Sequence, residues 1–138
     1  MQICFLDTNI LLRFFTRDDE QKAQQALNLL MRIEQGEEKA ITSSLVIFET
    51  VYTLQSFYQV PRQRIKEQVL SIISMRSLHL PDKNLYYHAF DLYVTKNISF
   101  ADAYNAAYMI SEHISNIYSW DRDFDKVPGI VRLEPEQE

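Results

Sequence analysis

The 138 residues, 46% of them apolar and 12% aromatic, suffice for one ordinary domain with a core of its own and exclude an intrinsically disordered chain. A formal net charge of −5 argues against a protein held on nucleic acid by a broad basic face, though not against a nuclease with a local rim of Lys and Arg around an acidic site. The single cysteine, Cys4, excludes an internal disulfide and a thiolate zinc cage; no apolar run approaches the roughly 18 residues of a membrane span, so no membrane association is expected and the cytoplasm is the expected compartment.

Two glycines and four prolines favour long helices over hairpins. Residues 2–6 read as a first strand, apolar nearly throughout and so buried on both faces like a central parallel strand, with Cys4 a small buried hydrophobe inside it. A short helix follows from Asn9 to Phe15. A longer one runs from Asp18 to Gln35, with Ala23, Ala26, Leu27, Leu30 and Ile33 at helical spacing and Gly36 as its stop. Residues 39–42 form a second strand, after which Ser43 or Ser44 caps a helix reaching Tyr58. Pro61 opens the next helix at a position proline tolerates, and Ile65, Val69, Ile72 and Ile73 give it an apolar face. Leu78 to Leu80 make a third strand, residues 83–95 and 99–112 two further helices, 116–120 a fourth strand and 130–133 a weak fifth. Short apolar strands separated by helices predict an α/β fold, a three-layer α/β/α sandwich with a short central parallel sheet over residues 1–133; residues 134–138 are a solvated acidic tail.

Four acids stand where a surface charge is out of place. Asp7 ends the run Ile3-Cys4-Phe5-Leu6, Glu49 ends Leu45-Val46-Ile47-Phe48, Asp102 follows Phe100-Ala101 near a helix start, and Asp121 ends Ile117-Tyr118-Ser119-Trp120. A carboxylate half-buried among apolar neighbours is costly unless a cation or hydrogen-bond donors meet it. In open parallel sheets, ligands bind beyond the carboxyl ends of the strands. Asp7 and Asp121 end strands, and Glu49 lies just over one turn into the helix that leaves the second strand. The helix of Asp102 feeds the fourth strand through a few residues, so it runs down the sheet and begins at the same edge. The topology therefore predicts that all four converge. Oxygen ligands without a His or Cys cluster suit Mg²⁺ or Mn²⁺, and His79, His88 and His113 show no ligand spacing.

Each acid has a plainer role as well. Asp7-Thr8-Asn9 can simply cap a helix, Ser99 to Asp102 matches a capping box, and Asp123 and Asp125 fit a solvated turn. Glu49 shares its helical face with Leu45, Phe48 and Tyr52, so it points to the apolar side and can be half of a buried ion pair. That all four plain roles coincide at one edge is the weaker explanation.

Phe5-Leu6-Asp7-Thr8-Asn9-Ile10-Leu11-Leu12-Arg13 resembles the opening of PIN-domain nucleases, as does Thr16-Arg17-Asp18-Asp19. Glu49, Ser99-Phe100-Ala101-Asp102-Ala103 and Ser119-Trp120-Asp121-Arg122-Asp123-Phe124 continue the pattern in order over nearly the whole chain, with Ser119-Trp120 a mild departure. The size, with no appended domain, is most like the VapC-type toxins of bacterial toxin–antitoxin pairs. This resemblance implies a PIN-like fold, endonucleolytic cutting of RNA and a cognate antitoxin. Asp7, Asp102 and Asp121 are the expected Mg²⁺ or Mn²⁺ ligands, with Asp123 the alternative to Asp121. Glu49 would hold the attacking water or a second metal, and Ser119 would supply the hydroxyl that orients the first Asp. Asn9, Arg13, Arg17, Lys96 and Arg122 are candidates for the phosphate rim. The helices of residues 44–74 carry more apolar positions (Phe48, Val51, Tyr52, Leu54, Phe57, Tyr58) than one buried face needs, which predicts a homodimer.

Three rivals remain. A phosphotransferase of the haloacid-dehalogenase type needs a second Asp where this chain has Asn9. A PIN fold can serve as a scaffold without turnover, or as a housekeeping RNA-processing nuclease without an antitoxin.

Overall fold

Side-chain oxygens start several helices of this chain. Asp19 accepts a hydrogen bond from the backbone N–H of Lys22 at 3.1 Å, Ser43 from Val46 at 3.4 Å and Ser99 from Asp102 at 3.1 Å. Each satisfies one of the donors a helix leaves open at its N-terminus. The computed structural model describes residues 2–136. Its elements are β1 (Ile3–Phe5), α1 (Thr8–Thr16), α2 (Glu20–Glu34), β2 (Lys39–Ile41), α3 (Ser44–Ser56), α4 (Arg62–Ile73), β3 (Leu78–His79), α5 (Lys83–Thr95), α6 (Phe100–Ser111), β4 (Asn116–Tyr118) and β5 (Val131–Leu133). A 3-10 turn, Arg122–Lys126, lies between the last two strands. Gly36 follows α2 at φ +78°, the left-handed conformation that ends a helix with least strain when no Cβ is present.

The fold is helix-rich α/β with short parallel sheets. The described chain divides after Lys83 into two compact units. In the first, β1, β2 and β3 pair in that order, all parallel, with Cys4 opposite Ala40 and Ala40 opposite Leu78. Ala40 and Leu78 are buried in a core with Leu6, Leu11, Leu30 and Ile33. Alternation along a strand sends successive side chains to opposite faces. Ile3 and Phe5 accordingly share the other face, where they are 65% and 59% exposed.

β1 therefore differs from the expected strand buried on both faces, and Cys4 is exposed. The physical reason is position: among the described residues β1 is the edge of its sheet and pairs with β2 alone. An apolar run reads the same whether its strand is central or at an edge.

In the second unit, β4 and β5 form a parallel pair with Ile117 opposite Arg132. Aromatic rings join α5 to α6: Phe90 and Phe100 have centroids 4.5 Å apart, and Tyr86 and Tyr104 5.2 Å. Such pairs add to the burial of their area. Residues 134–136 are exposed and without regular structure, as expected of the tail, although Glu134 pairs with Arg132 at 3.2 Å; the rest of the expected tail, residues 137–138, lies outside the described residues. Among the described residues, no helix is long and apolar enough to cross a membrane.

Candidate metal centre

Three carboxylates meet in the second unit, and the backbone explains why. Ser99 caps α6, which places Asp102 in the helix's first turn. Past the end of β4, the Ser119 hydroxyl accepts from the Asp121 N–H at 2.9 Å, and Asp121 Oδ1 accepts in turn from the Asp123 N–H at 2.9 Å. Ser and Asp favour such bonds to the backbone two residues on. Two in succession fold the segment tightly and start the 3-10 turn. Asp102, Asp121 and Asp123 each offer an oxygen, and these atoms lie within 4.8 Å of one another.

Arg132 fastens this turn to β5. Its guanidinium donates to the Ser119 carbonyl at 3.0 Å and to Asp125 at 3.1 Å, with the side chain only 10% exposed. Lys126 pairs with Asp123 at 3.1 Å.

Half-buried Asp102 has its pKa pushed up to about 6, first by burial and then by its hydrogen bond with and repulsion from Asp121; a hydrogen bond with Ser99 opposes the rise. Asp121 is held below the usual carboxylate value, first by the Asp123 N–H and then by its bond to Asp102, with Lys126 and Arg132 adding attraction. Asp121 is the standing anion, and Asp102 is the member that keeps its proton longest. A cluster of oxygen donors, with no nitrogen or sulfur, fits a hard divalent ion such as Mg²⁺ or Mn²⁺.

Of the remaining expected residues, Asp7, Asn9, Arg13, Arg17 and Glu49 belong to the first unit, and Lys96, Ser119 and Arg122 to the second. Leu6 is buried, its N–H donates to the Ile41 carbonyl at 2.8 Å, and its own carbonyl accepts from the Thr42 hydroxyl at 2.9 Å. These bonds fix where β1 delivers Asp7. Asp7 is exposed and occupies the N-cap position of α1, yet its side chain makes no cap hydrogen bond, so the plain capping role is not taken up. Behind it the Thr8 hydroxyl is buried with no hydrogen-bond partner among the described residues.

Glu49 corrects an expectation. It is exposed, and so are Leu45 and Tyr52 on its face, while Val46, Ile47, Thr50, Val51 and Leu54 are buried. Helix α3 is apolar nearly all round, so spacing alone could not select the buried side. Val51 and Leu54, expected at an interface, are core residues for the same reason; Tyr52 and Phe57 are exposed.

Among the expected phosphate contacts, Asn9 is exposed and Arg13 half-buried on α1. Arg13 bonds Asp18 at 2.8 Å, and the Tyr58 hydroxyl bonds the other Asp18 oxygen at 2.8 Å. Arg13 first, and Tyr58 after it, hold the Asp18 carboxyl below its usual range. Arg17 is paired with Glu20 at 2.9 Å, Lys96 is half-buried and Arg122 is exposed. The Ser119 hydroxyl, expected to orient the first Asp, accepts from the Asp121 N–H. Thr42, Arg132 and the Asp18–Tyr58 bond escaped the sequence reading. Their partners are too far away along the chain, 36 positions for Thr42 and Leu6 and 40 for Tyr58 and Asp18, to leave a local pattern.

The PIN domain family model matches residues 4–130, and the chain belongs to the PIN domain family. Among solved structures the chain is similar to VapC20 of Mycobacterium tuberculosis, a sarcin-ricin-loop-cleaving toxin. The two are 22% identical over 97% of this chain and 100% of that one, with a TM-score of 0.36. No curated protein matches the chain.

Proposed function

We propose that this protein is a Mg²⁺- or Mn²⁺-dependent endoribonuclease that hydrolyses RNA phosphodiester bonds, the toxin of a toxin–antitoxin pair acting in the cytoplasm. The observation that carries the reading is the convergence of Asp102, Asp121 and Asp123 within 4.8 Å in a chain of the PIN family. The toxin role rests on the motif resemblance.

When bound, a divalent ion supplies Lewis acidity to the phosphodiester and lowers the pKa of the attacking water. The chain's own residues do the rest. Asp121, kept ionised by the Asp123 N–H, and Asp102, in its ionised form, would hold the ion. Asp123, tied to Lys126, completes the set in place of a strict choice between it and Asp121. Asp7 and Glu49, exposed and uncommitted to capping or core, are the candidates for a further ligand and for the residue that orients water. Residues 1–133 then act as one nuclease domain, in keeping with a family match that runs through both units. Exposed Leu45, Tyr52 and Phe57 are the residues for a homodimer contact.

An RNA panel incubated with wild type and with Asp102→Asn and Asp7→Asn variants, all prepared identically, tests this reading. Wild type should cut in Mg²⁺ or Mn²⁺ and not in EDTA, and both variants should be inactive. Equal cutting by all three would mark a contaminating nuclease. No cutting of any RNA by metal-loaded protein would leave a binding module as the better account. An adjacent open reading frame for a small DNA-binding protein would support the toxin role over a housekeeping one.

A further inference from the structure

We propose that the groove between α1 and α2 grips the phosphodiester backbone of an RNA strand, a proposal that rests on the nuclease reading above. The groove, about 470 Å³, is lined by three cations, Arg13, Lys22 and Arg32, and two amides, Asn9 and Gln25, over an apolar floor; no acidic side chain lines it. In a chain of net charge −5 this is a local inversion of sign. Opposite charge gathered in a concave surface attracts a polyanion.

Two of the three cations have acidic partners, Arg13 with Asp18 and Arg32 with Glu38, and each partner takes only part of its guanidinium. Arg13 is braced rather than hidden, because Asp18 takes one of its N–H groups at 2.8 Å and is itself fixed by Tyr58. Arg32 reaches Glu38 through Nε at 3.2 Å, which leaves its terminal amino groups, the phosphate-binding fork, to the groove. Lys22 makes no side-chain ion pair among the described residues. Lys22 and Arg32 lie ten positions apart on α2, about 15 Å along the axis, so the cations form a track and not a single anion pocket. The track begins at Asn9, two positions from Asp7.

The lining also says what is recognised. It contains no aromatic ring, so bases have nothing to stack on. Amides between cations suit phosphate and ribose oxygens. The groove therefore contributes affinity and register without choosing a sequence.

Binding of short, labelled single-stranded RNAs of several sequences, measured in EDTA over a KCl series, tests the track. Lys22→Ala and Arg32→Ala should each weaken binding about three- to tenfold at low salt and flatten the log–log salt dependence by about 0.7, equally for every sequence. Arg64→Ala, which removes an exposed cation from α4, should change neither. In Mg²⁺ the groove variants should raise KM and leave kcat unaltered. If wild type cuts RNA while Lys22→Ala/Arg32→Ala binds with unchanged affinity and salt slope, the track is wrong and the nuclease reading stands. Normal RNA binding by that double variant together with loss of a co-expressed protein partner would overturn it too, assigning the groove to an acidic peptide. Groove-dependent RNA binding without any metal-dependent cutting keeps the track and sinks the nuclease.

Discussion

Asp102 and Asp121 each bring a carboxylate oxygen within 4.8 Å of the other, and the closeness drives their titrations apart, one up to about 6 and the other below the usual value. A group whose pKa is raised by folding stabilises the native state fully below its unfolded value and loses that contribution as pH rises through the folded one. For Asp102 the loss falls between its ordinary 3.8 and about 6. Without metal, the wild type should therefore lose thermal stability relative to Asp102→Asn across that window, because Asn keeps the shape without the charge. Melting temperatures of both proteins in EDTA over a pH series check this. A constant difference between them would show that Asp102 is not strained by its neighbours.

Metal should reverse the order. An ion that binds only the native state stabilises it by RT ln(1 + [L]/Kd), about 2.7 kcal/mol at a hundredfold excess over Kd. Mn²⁺ should raise the wild-type melting temperature by several degrees near neutral pH, with the rise shrinking as pH falls through about 6 and Asp102 takes up its proton. Asp102→Asn and Asp121→Asn should lose the shift, and Asp123→Asn should lose part of it. An Mn²⁺ response that survives in both of the first two variants places the ion elsewhere.

The sequence made the elements legible wherever a local rule governs them. Ser99, Ser43 and Gly36 each mark a helix end by its own chemistry, and the structure has those ends where the residues put them. The α/β class with short parallel strands follows from the same spacing. Asp102 and Asp121 were legible as a pair because one starts a helix and the other follows a strand. Burial was less readable. Ile3, Phe5 and Cys4 look like a central strand, yet their exposure depends on what pairs beyond β1, which lies outside any local window. Glu49 was misplaced because apolar residues surround α3, leaving its spacing without a preferred face. Asp123 came into the cluster through the 3-10 turn, whose start depends on the Ser119 and Asp121 side chains bonding backbone rather than solvent.

Two threonines beside Asp7 should respond in opposite ways. Thr42→Val removes the 2.9 Å hydrogen bond to the Leu6 carbonyl in a buried setting and should cost about 1–3 kcal/mol, because an acceptor is left without its donor. Thr8→Val removes a buried hydroxyl that has no partner, so stability should hold or rise slightly. Denaturant unfolding of each variant separates the two. If Thr8→Val is stable but inactive, the hydroxyl is used in the reaction and not in the fold.

Arg132 offers the sharpest test of how the acidic cluster is built. It touches none of the three clustered carboxylates through a described hydrogen bond, but it holds the Ser119 carbonyl at 3.0 Å, Asp125 at 3.1 Å and Glu134 at 3.2 Å. Ser119 in turn fixes the Asp121 N–H, so Arg132 acts on the centre through the turn. Arg132→Met keeps much of the apolar stem and removes every donor, leaving a partly buried carbonyl unpaired. It should lower stability by about 1–3 kcal/mol and weaken Mn²⁺ binding about tenfold. Arg132→Lys should recover part of the stability and less of the metal affinity, since an ammonium cannot span the carbonyl and the carboxylates in the fork geometry of a guanidinium. Isothermal titration with Mn²⁺ alongside denaturant unfolding reads both quantities. Unfolding that weakens without any change in Mn²⁺ affinity would mean that the turn keeps Asp121 in place unaided.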